Sequence, residues 1–305
     1  MKKIILFGGI FIVTSCNLTG VKVDDGEERN YIDSLFTRQS KKTDTLTSVE
    51  NNEKKQETES NDEHLLPEKS VKEQSYPNGI NINWKKHGQG KSIKKGDMIR
   101  IDYRNKLMDG TVYDGNHLIQ KPSLPFFVGW NMQTEGWDFA LSKLREGDEV
   151  EILIPADLAR GEKGIPGVVP PNADNLLSLK VIEIIPPTYE VDDIRIWRVE
   201  ERKNPGKKIE FEDKVEIHYW VSSSSKPRFD NSYQRGIPFE LVMGDGNIVP
   251  GLYKALHYGR EGDKLMIHIP AKEAYGKDGL KGLVEPNEDL FYDLIILDVY
   301  KKSKS

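Results

Sequence analysis

At 305 residues, with 37% hydrophobic and 30% charged content, the chain is too long and too polar to be one ordinary compact domain. Its length allows two domains of roughly 100–150 residues with polar sequence left over. A net charge of −5 argues against nucleic acid as the main partner, because phosphate binding needs a basic surface, and the single cysteine excludes both a disulfide framework and a cysteine metal cluster.

The chain opens with Lys2-Lys3, an apolar run from Ile4 to Val13, and then small residues up to Cys16. That is the order of a secretory signal. The run is too short to span a hydrocarbon core of about 30 Å. Val13-Thr14-Ser15-Cys16 resembles the bacterial lipobox. The resemblance implies a signal peptide over 1–15, acylation (palmitate among the chains) on Cys16, and a membrane anchor carried by that residue, since several acyl chains on one residue exceed the two-signal threshold for stable anchoring. Asn17, rather than an aspartate, leans the expected location towards the outer membrane, periplasmic or surface face undecided. An ordinary signal with a chance cysteine and a buried N-terminal strand are the alternatives.

From residue 16 to 76 charges of both signs alternate with Ser, Thr, Asn and Gln, as in Glu53-Lys54-Lys55. No helical or strand period is sustained. A segment of this kind cannot bury enough apolar area to offset its ordering entropy, so a disordered tether is expected. As a coil it would reach on the order of 40 Å.

The remainder contains itself twice. Arg145-Glu146-Gly147-Asp148 returns as Arg260-Glu261-Gly262-Asp263, and Ile154-Pro155-Ala156 as Ile269-Pro270-Ala271, both 115 positions on. Tyr103 and Asp114 match Tyr219 and Asp230 at 116. A period of this length is that of a whole domain, not a solenoid repeat; domains over 77–187 and 188–305 are expected. Within each, Met98–Tyr103, Val215–Tyr219 and Lys264–Ile269 alternate as strands. Lys106–Tyr113 carries an Asp109-Gly110 turn between apolar positions, a hairpin signal. The spacing predicts one short helix per unit, over Trp137–Leu144 and Leu252–Tyr258. The fold class is therefore α+β: two tandem units, each a curved antiparallel sheet wrapped over one short helix.

These residues resemble the FKBP family of peptidyl-prolyl cis–trans isomerases. The markers are Asp109-Gly110-Thr111-Val112-Tyr113-Asp114, Gly136-Trp137 and Gly164-Ile165-Pro166-Gly167-Val168-Val169-Pro170 in the first unit. In the second they are Tyr219, Phe229-Asp230, Pro238-Phe239, Gly251 and Pro270-Ala271-Lys272-Glu273-Ala274-Tyr275-Gly276. The likeness covers about 225 residues in order, and the signal plus tether is similar to lipoprotein FKBPs of Bacteroidota-like bacteria. It implies an isomerase acting on X-Pro bonds of exported polypeptides, a membrane-anchored aid to protein folding that uses no cofactor. The alternative is a non-catalytic scaffold lipoprotein that keeps the folds to hold partners.

The resemblance also implies roles. In the second unit Tyr219, Phe229, Asp230 and Tyr275 would be catalytic. Phe239, Ile248, Val249 and Tyr292 would complete the walls, Arg235 would hold Asp230, and Leu283 and Val284 would close an overhanging loop. The backbone N–H of Val249 and the Tyr275 hydroxyl would bond the substrate main chain. Leu252 stands where the family has a floor tryptophan. The first unit keeps that floor as Trp137, with Tyr103, Tyr113, Asp114, Val168 and Val169. It has Arg160 for Tyr275, Ile119 for Arg235, Leu124 for Phe239, Thr134 for Val249, and Leu177 or Leu179 for Tyr292, so a weaker catalyst or a binding module is expected. The six histidines show no ligand spacing, and no metal is expected.

Overall fold

A computed structural model describes residues 71–199 and 204–302. Cys16, the signal segment and the tether up to residue 70 lie outside the described residues. The first sheet is built from β1 (Lys72–Ser75), β2 (Asn81–Lys86), β3 (Met98–Leu107), β4 (Val112–Gly115), β5 (Leu124–Phe127), β6 (Glu149–Ile154) and β7 (Asn175–Ile184), with helix α1 (Glu135–Leu141) between β5 and β6. The second sheet has β8 (Tyr189–Val191), β9 (Ile194–Arg198), β10 (Lys214–Ser223), β11 (Asp230–Asn231), β12 (Phe239–Val242), β13 (Lys264–Ile269) and β14 (Leu290–Tyr300), with α2 (Pro250–Leu256) before β13. The strand orders are β1-β2-β6-β7-β3-β4 and β8-β9-β13-β14-β10-β11, with β5 and β12 pairing β3 and β10. The two units thus share one antiparallel topology, the α+β half-barrel pair expected from the repeat.

The first domain begins earlier than residue 77. Lys72–Ser75 pairs with Trp84–Asn81 inside the stretch expected to be tether. All four of its residues are exposed, so this edge strand is held by backbone pairing and leaves no apolar period to read. The helices sit two to three residues earlier than the spacing predicts, and the hairpin turns at Gly110, whose φ of 89° suits glycine.

In each unit the central strand alternates inward and outward residues, and the inward row packs on one helix face. On α1 the buried residues are Gly136, Trp137, Ala140 and Leu141; on α2 they are Gly251, Leu252, Ala255 and Leu256. Register shifts at Arg100/Ile101 and Glu216/Ile217 fall at matching points of β3 and β10, where an extra residue bends a strand and increases its twist. The repeated Arg-Glu-Gly-Asp motif has a structural task. Asp148, fully buried, accepts from Trp84 Nε1 at 3.1 Å and from the Gly88 and Arg145 amides at 2.7 and 2.9 Å. Asp263 likewise accepts from Arg198 Nε and the Arg260 amide, both at 3.0 Å.

A third apolar cluster joins the units. Met98, Phe127 and Trp130 of the first pack on Trp197, Met266 and Phe291 of the second. The rings of Phe127 and Phe291 stack with centroids 4.2 Å apart and planes 5° apart.

Candidate functional site

The second domain gathers its aromatic residues where β10, β11, β12 and β14 open over the N-terminal end of α2. Tyr219 points inward from β10 because it shares the parity of Val215 and Ile217, all three buried. Its ring meets Phe239 edge-on at 5.8 Å and Tyr292 at 5.9 Å. Val249 caps α2 with an extended backbone, and Leu252 lies one turn on. Phe229, Phe239, Ile248, Tyr275 and Leu283 are half-buried against this core, to which Val249, Leu252, Val284 and Tyr292 belong.

Polar groups line one side. The Tyr219 hydroxyl donates to Asp230 Oδ2 at 2.5 Å, Arg235 Nη1 donates to Asp230 Oδ1, and Arg235 Nη2 donates to the Tyr219 oxygen at 3.1 Å. Both Asp230 oxygens are therefore occupied, which fixes the carboxylate as an oriented charge. Burial, with the Asp230 carboxylate, pushes the Tyr219 phenol up to about 12, so it is a proton donor at any neutral pH. Burial first, then the Asp230 charge, also raises Tyr275. Tyr275 is half-buried, and its hydroxyl has no hydrogen bond among the described residues, so it is available to a ligand. The Val249 N–H likewise has no backbone acceptor there.

The overhanging segment is a tight loop in which the Leu280 amide donates to Val284 O at 2.8 Å and the Val284 amide returns to Leu280 O at 2.9 Å. Gly279 is needed within it: its φ is +64°, and a Cβ would lie 2.4 Å from Val284 O. Lys226 Nζ ties the loop down through Gly282 O. An open hollow of ≈ 530 Å³ bordered by Arg235, Ile237, Pro238 and Phe239 flanks the cleft on its outer side.

The first domain brings the equivalent positions together with different chemistry. Trp137, 1% exposed, lies edge-on to Tyr103 at 5.1 Å and stacks on Phe126 at 5.4 Å, forming a full floor. Tyr103 donates to Asp114 Oδ1 at 3.1 Å. Gln133 Nε2 donates to Asp114 Oδ2 at 3.2 Å, in the place of an arginine, and Ile119 is exposed. Arg160 turns inward and donates from Nη2 to Gln133 Oε1 at 2.7 Å. Burial raises Tyr103 and Tyr113. Val169 is buried, whereas Val168 is 46% exposed at the loop tip. Leu177 is the counterpart of Tyr292: it faces Asn105 and Ile152 as Tyr292 faces Val221 and Ile267.

Several residues that shape the two sites were not singled out from the sequence. Ser232 is fully buried and its Oγ accepts from the Tyr219 amide at 2.9 Å, holding β10 in register with the Asp230 segment. Asn105, Gln133 and Asn175 line the first cleft. Setting the two repeats one above the other at their offsets of 115 and 116 would have found them, because their partners are Val221, Ile248 and Leu290.

A curved antiparallel sheet over a short helix, with a half-open aromatic cleft at the helix end, is an α+β half-barrel, here present twice. Residues 89–182 and 206–297 match the family model for FKBP-type peptidyl-prolyl cis-trans isomerase, and the chain belongs to that family. It is 27% identical over 208 residues to the human peptidyl-prolyl cis-trans isomerase FKBP10, covering 68% of this chain and 35% of that protein. It is 27% identical over 210 residues to rat FKBP9, covering 69% and 36%. The chain therefore spans about a third of the length of the curated relatives it matches. Among solved structures, the three FKBP domains of wheat FKBP73 align over 73% of this chain and 95% of that one, at 23% identity and a TM-score of 0.38.

Proposed function

We propose that the chain is a peptidyl-prolyl cis–trans isomerase acting on X-Pro bonds of exported polypeptides, with most of the catalysis in the second cleft and a lipid anchor on Cys16. The observation that carries the reading is the Tyr219–Asp230–Arg235 triangle beside an aromatic recess, with the Tyr275 hydroxyl uncommitted. Rotation about a peptide bond is opposed by a barrier of about 18–20 kcal/mol, from amide resonance, and X-Pro isomerisation takes tens of seconds or more. No bond is made or broken, so the site needs no nucleophile. It must bind the twisted amide better than either planar form.

The recess formed by Tyr219, Phe239, Val249 and Tyr292 takes the proline ring out of water. A planar amide is the more strongly hydrated state, so excluding water from it favours the twisted one. Tyr275 and the Val249 N–H hold the flanking main chain, and Asp230, oriented by Tyr219 and Arg235, faces the rotating carbonyl. Phe229 walls the side next to Asp230, while Leu283 and Val284 cover the top.

A coupled assay on an X-Pro peptide tests this with the full chain. Isomerase activity is expected, falling at least about tenfold in Tyr275→Phe and Asp230→Ala, the loss of one hydrogen bond in a dry site being worth roughly 1.5–3 kcal/mol. A chain without activity would support the second reading, a non-catalytic binding lipoprotein, which Leu252 at the floor and the altered first cleft favour; activity unchanged in both variants would place catalysis outside the second cleft. The anchor is tested separately: palmitate labelling is expected in wild type and lost in Cys16→Ala.

A further inference from the structure

The two clefts differ in polarity more than in shape. Where the second places Val221, Phe229, Ile248, Val249, Tyr275 and Leu290, the first places Asn105, Tyr113, Gln133, Thr134, Arg160 and Asn175. Of these, Asn105 and Asn175 are 1% exposed and Thr134 is 9% exposed. Asn105 Oδ1, Asn175 Oδ1, Thr134 Oγ1, the Tyr113 hydroxyl and Arg160 Nε are all buried without a hydrogen-bond partner among the described residues. Each such group is costly when left unpaired, and native cores carry very few.

They belong to one place. Asn105 pairs with Leu177, and Asn175 with Leu107 two residues along the same strand as Asn105, so both amides project from the same face of the sheet. The Tyr113 hydroxyl lies beside both Asn175 and Arg160. Arg160 reaches Gln133, and Gln133 reaches Asp114. Thr134 follows Gln133 and caps α1, but its side chain makes no capping bond.

The charges in this network meet only indirectly, through Gln133. Among the described residues the Arg160 guanidinium donates to the neutral Gln133 amide oxygen and has the Tyr113 hydroxyl close by. Asp114 gives its oxygens to Tyr103 and Gln133, so Arg160 has no carboxylate hydrogen-bonded to it. A guanidinium does not shed its proton, and burial disfavours this one while Asp114 balances its charge only through space, which leaves its enclosed Nε without a direct acceptor. A carboxylate entering beside it would accept from Nε, from the Tyr113 hydroxyl and from Thr134. Either asparagine can turn its Nδ2 towards the newcomer by a half-rotation of the amide.

We propose that the first cleft is a carboxylate-binding site, taking an acidic side chain or a free C-terminus of a peptide, with the adjoining apolar stem on Trp137, and not a site for the prolyl ring. Loss of the second cleft's activity would leave this assignment standing, because the two are read by different measurements. The test is fluorescence anisotropy of the full chain with three labelled proline-free peptides of one sequence. One ends in a free carboxylate, one is amidated and neutral, and one is amidated with an internal glutamate.

At least one anionic peptide is expected to bind about tenfold or more tightly than the neutral one, as charge-assisted hydrogen bonds imply. The arm that gains assigns the terminus or the side chain as the source. Arg160→Met is expected to erase the difference, Arg160→Lys to retain part of it, and Asn175→Leu, which installs the second cleft's residue, to reduce it in a chain that still folds. Equal binding of neutral and anionic peptides, or a preference that survives Arg160→Met, would overturn the proposal.

Discussion

At the scale of single residues the second cleft is set by two side chains, Tyr219 and Leu252. Tyr219 is 7% exposed, and its phenol is pushed up to about 12 against about 10 in an unfolded chain. The raised value means the folded state keeps a proton that the unfolded state releases. This contribution is complete below pH 10 and declines as pH rises through 12. Stability of the chain is therefore expected to fall across that window, less steeply in Tyr219→Phe, in urea titrations at stepped pH. Leu252, 3% exposed, leaves the floor shallower in contact area than Trp137 does in the first domain. Leu252→Trp is expected to lower KM for an X-Pro peptide by extending the aromatic wall, at a packing cost of about 1–3 kcal/mol; an unchanged KM with the fold intact would mean that the floor does not touch substrate. Which residue types occupy the wall was legible from the paired motifs. Where Arg160 goes was not, because its letter reveals the missing hydroxyl of Tyr275 but not that a long side chain folds inward to reach Gln133.

At the scale of elements the cleft depends on how closely each helix lies on its sheet. A Cβ on Gly251 would stand 2.3 Å from Ile269 Cγ2 and 3.0 Å from Glu273 O, and one on Gly136 2.4 Å from Ile154 Cγ2. Neither glycine has a positive φ; each is required by close approach alone. Gly251→Ala is expected to push α2 away from β13, costing about 1–3 kcal/mol and displacing Val249 and Leu252 together. Its signature is a loss in kcat/KM larger than the loss in stability at the assay temperature would produce. Among the elements legible in the sequence, β10 alternates in burial over Val215–Tyr219 as its sequence does, β13 occupies Lys264–Ile269 although both of its faces are buried, and both helices show their apolar stripe. β1 and the two-residue β11 were not legible, because backbone pairing to a neighbour holds them and no side-chain period records it. The repeat itself carried the fold, since matched aspartates such as Asp148 and Asp263 tie matched turns in both units.

At the scale of the molecule the two domains are fastened through aromatic rings. Phe127 and Phe291 are fully buried, and each packs on residues of the other unit as well as its own; Trp197 meets Phe127 at 5.5 Å while donating from Nε1 to Ile185 O at 2.9 Å. One end of this seam approaches both clefts. Arg228, next to Phe229 and Asp230, lies over the Trp220 ring at 5.1 Å and donates to Met132 O at 3.4 Å, and Met132 precedes Gln133 of the first cleft. None of this was readable in one dimension, because a phenylalanine on an alternating strand looks the same whether its ring meets its own domain or the next. Removing a stacked ring takes away packing on both sides at once. Phe127→Ala is expected to cost about 3–5 kcal/mol and, because most of that loss falls on the seam, to uncouple the units. Calorimetry of the full chain should then show one cooperative transition in wild type and two in the variant, with the first domain melting earlier. A single transition merely shifted to lower temperature would place the stabilising role of Phe127 inside its own domain and leave the units joined by other contacts.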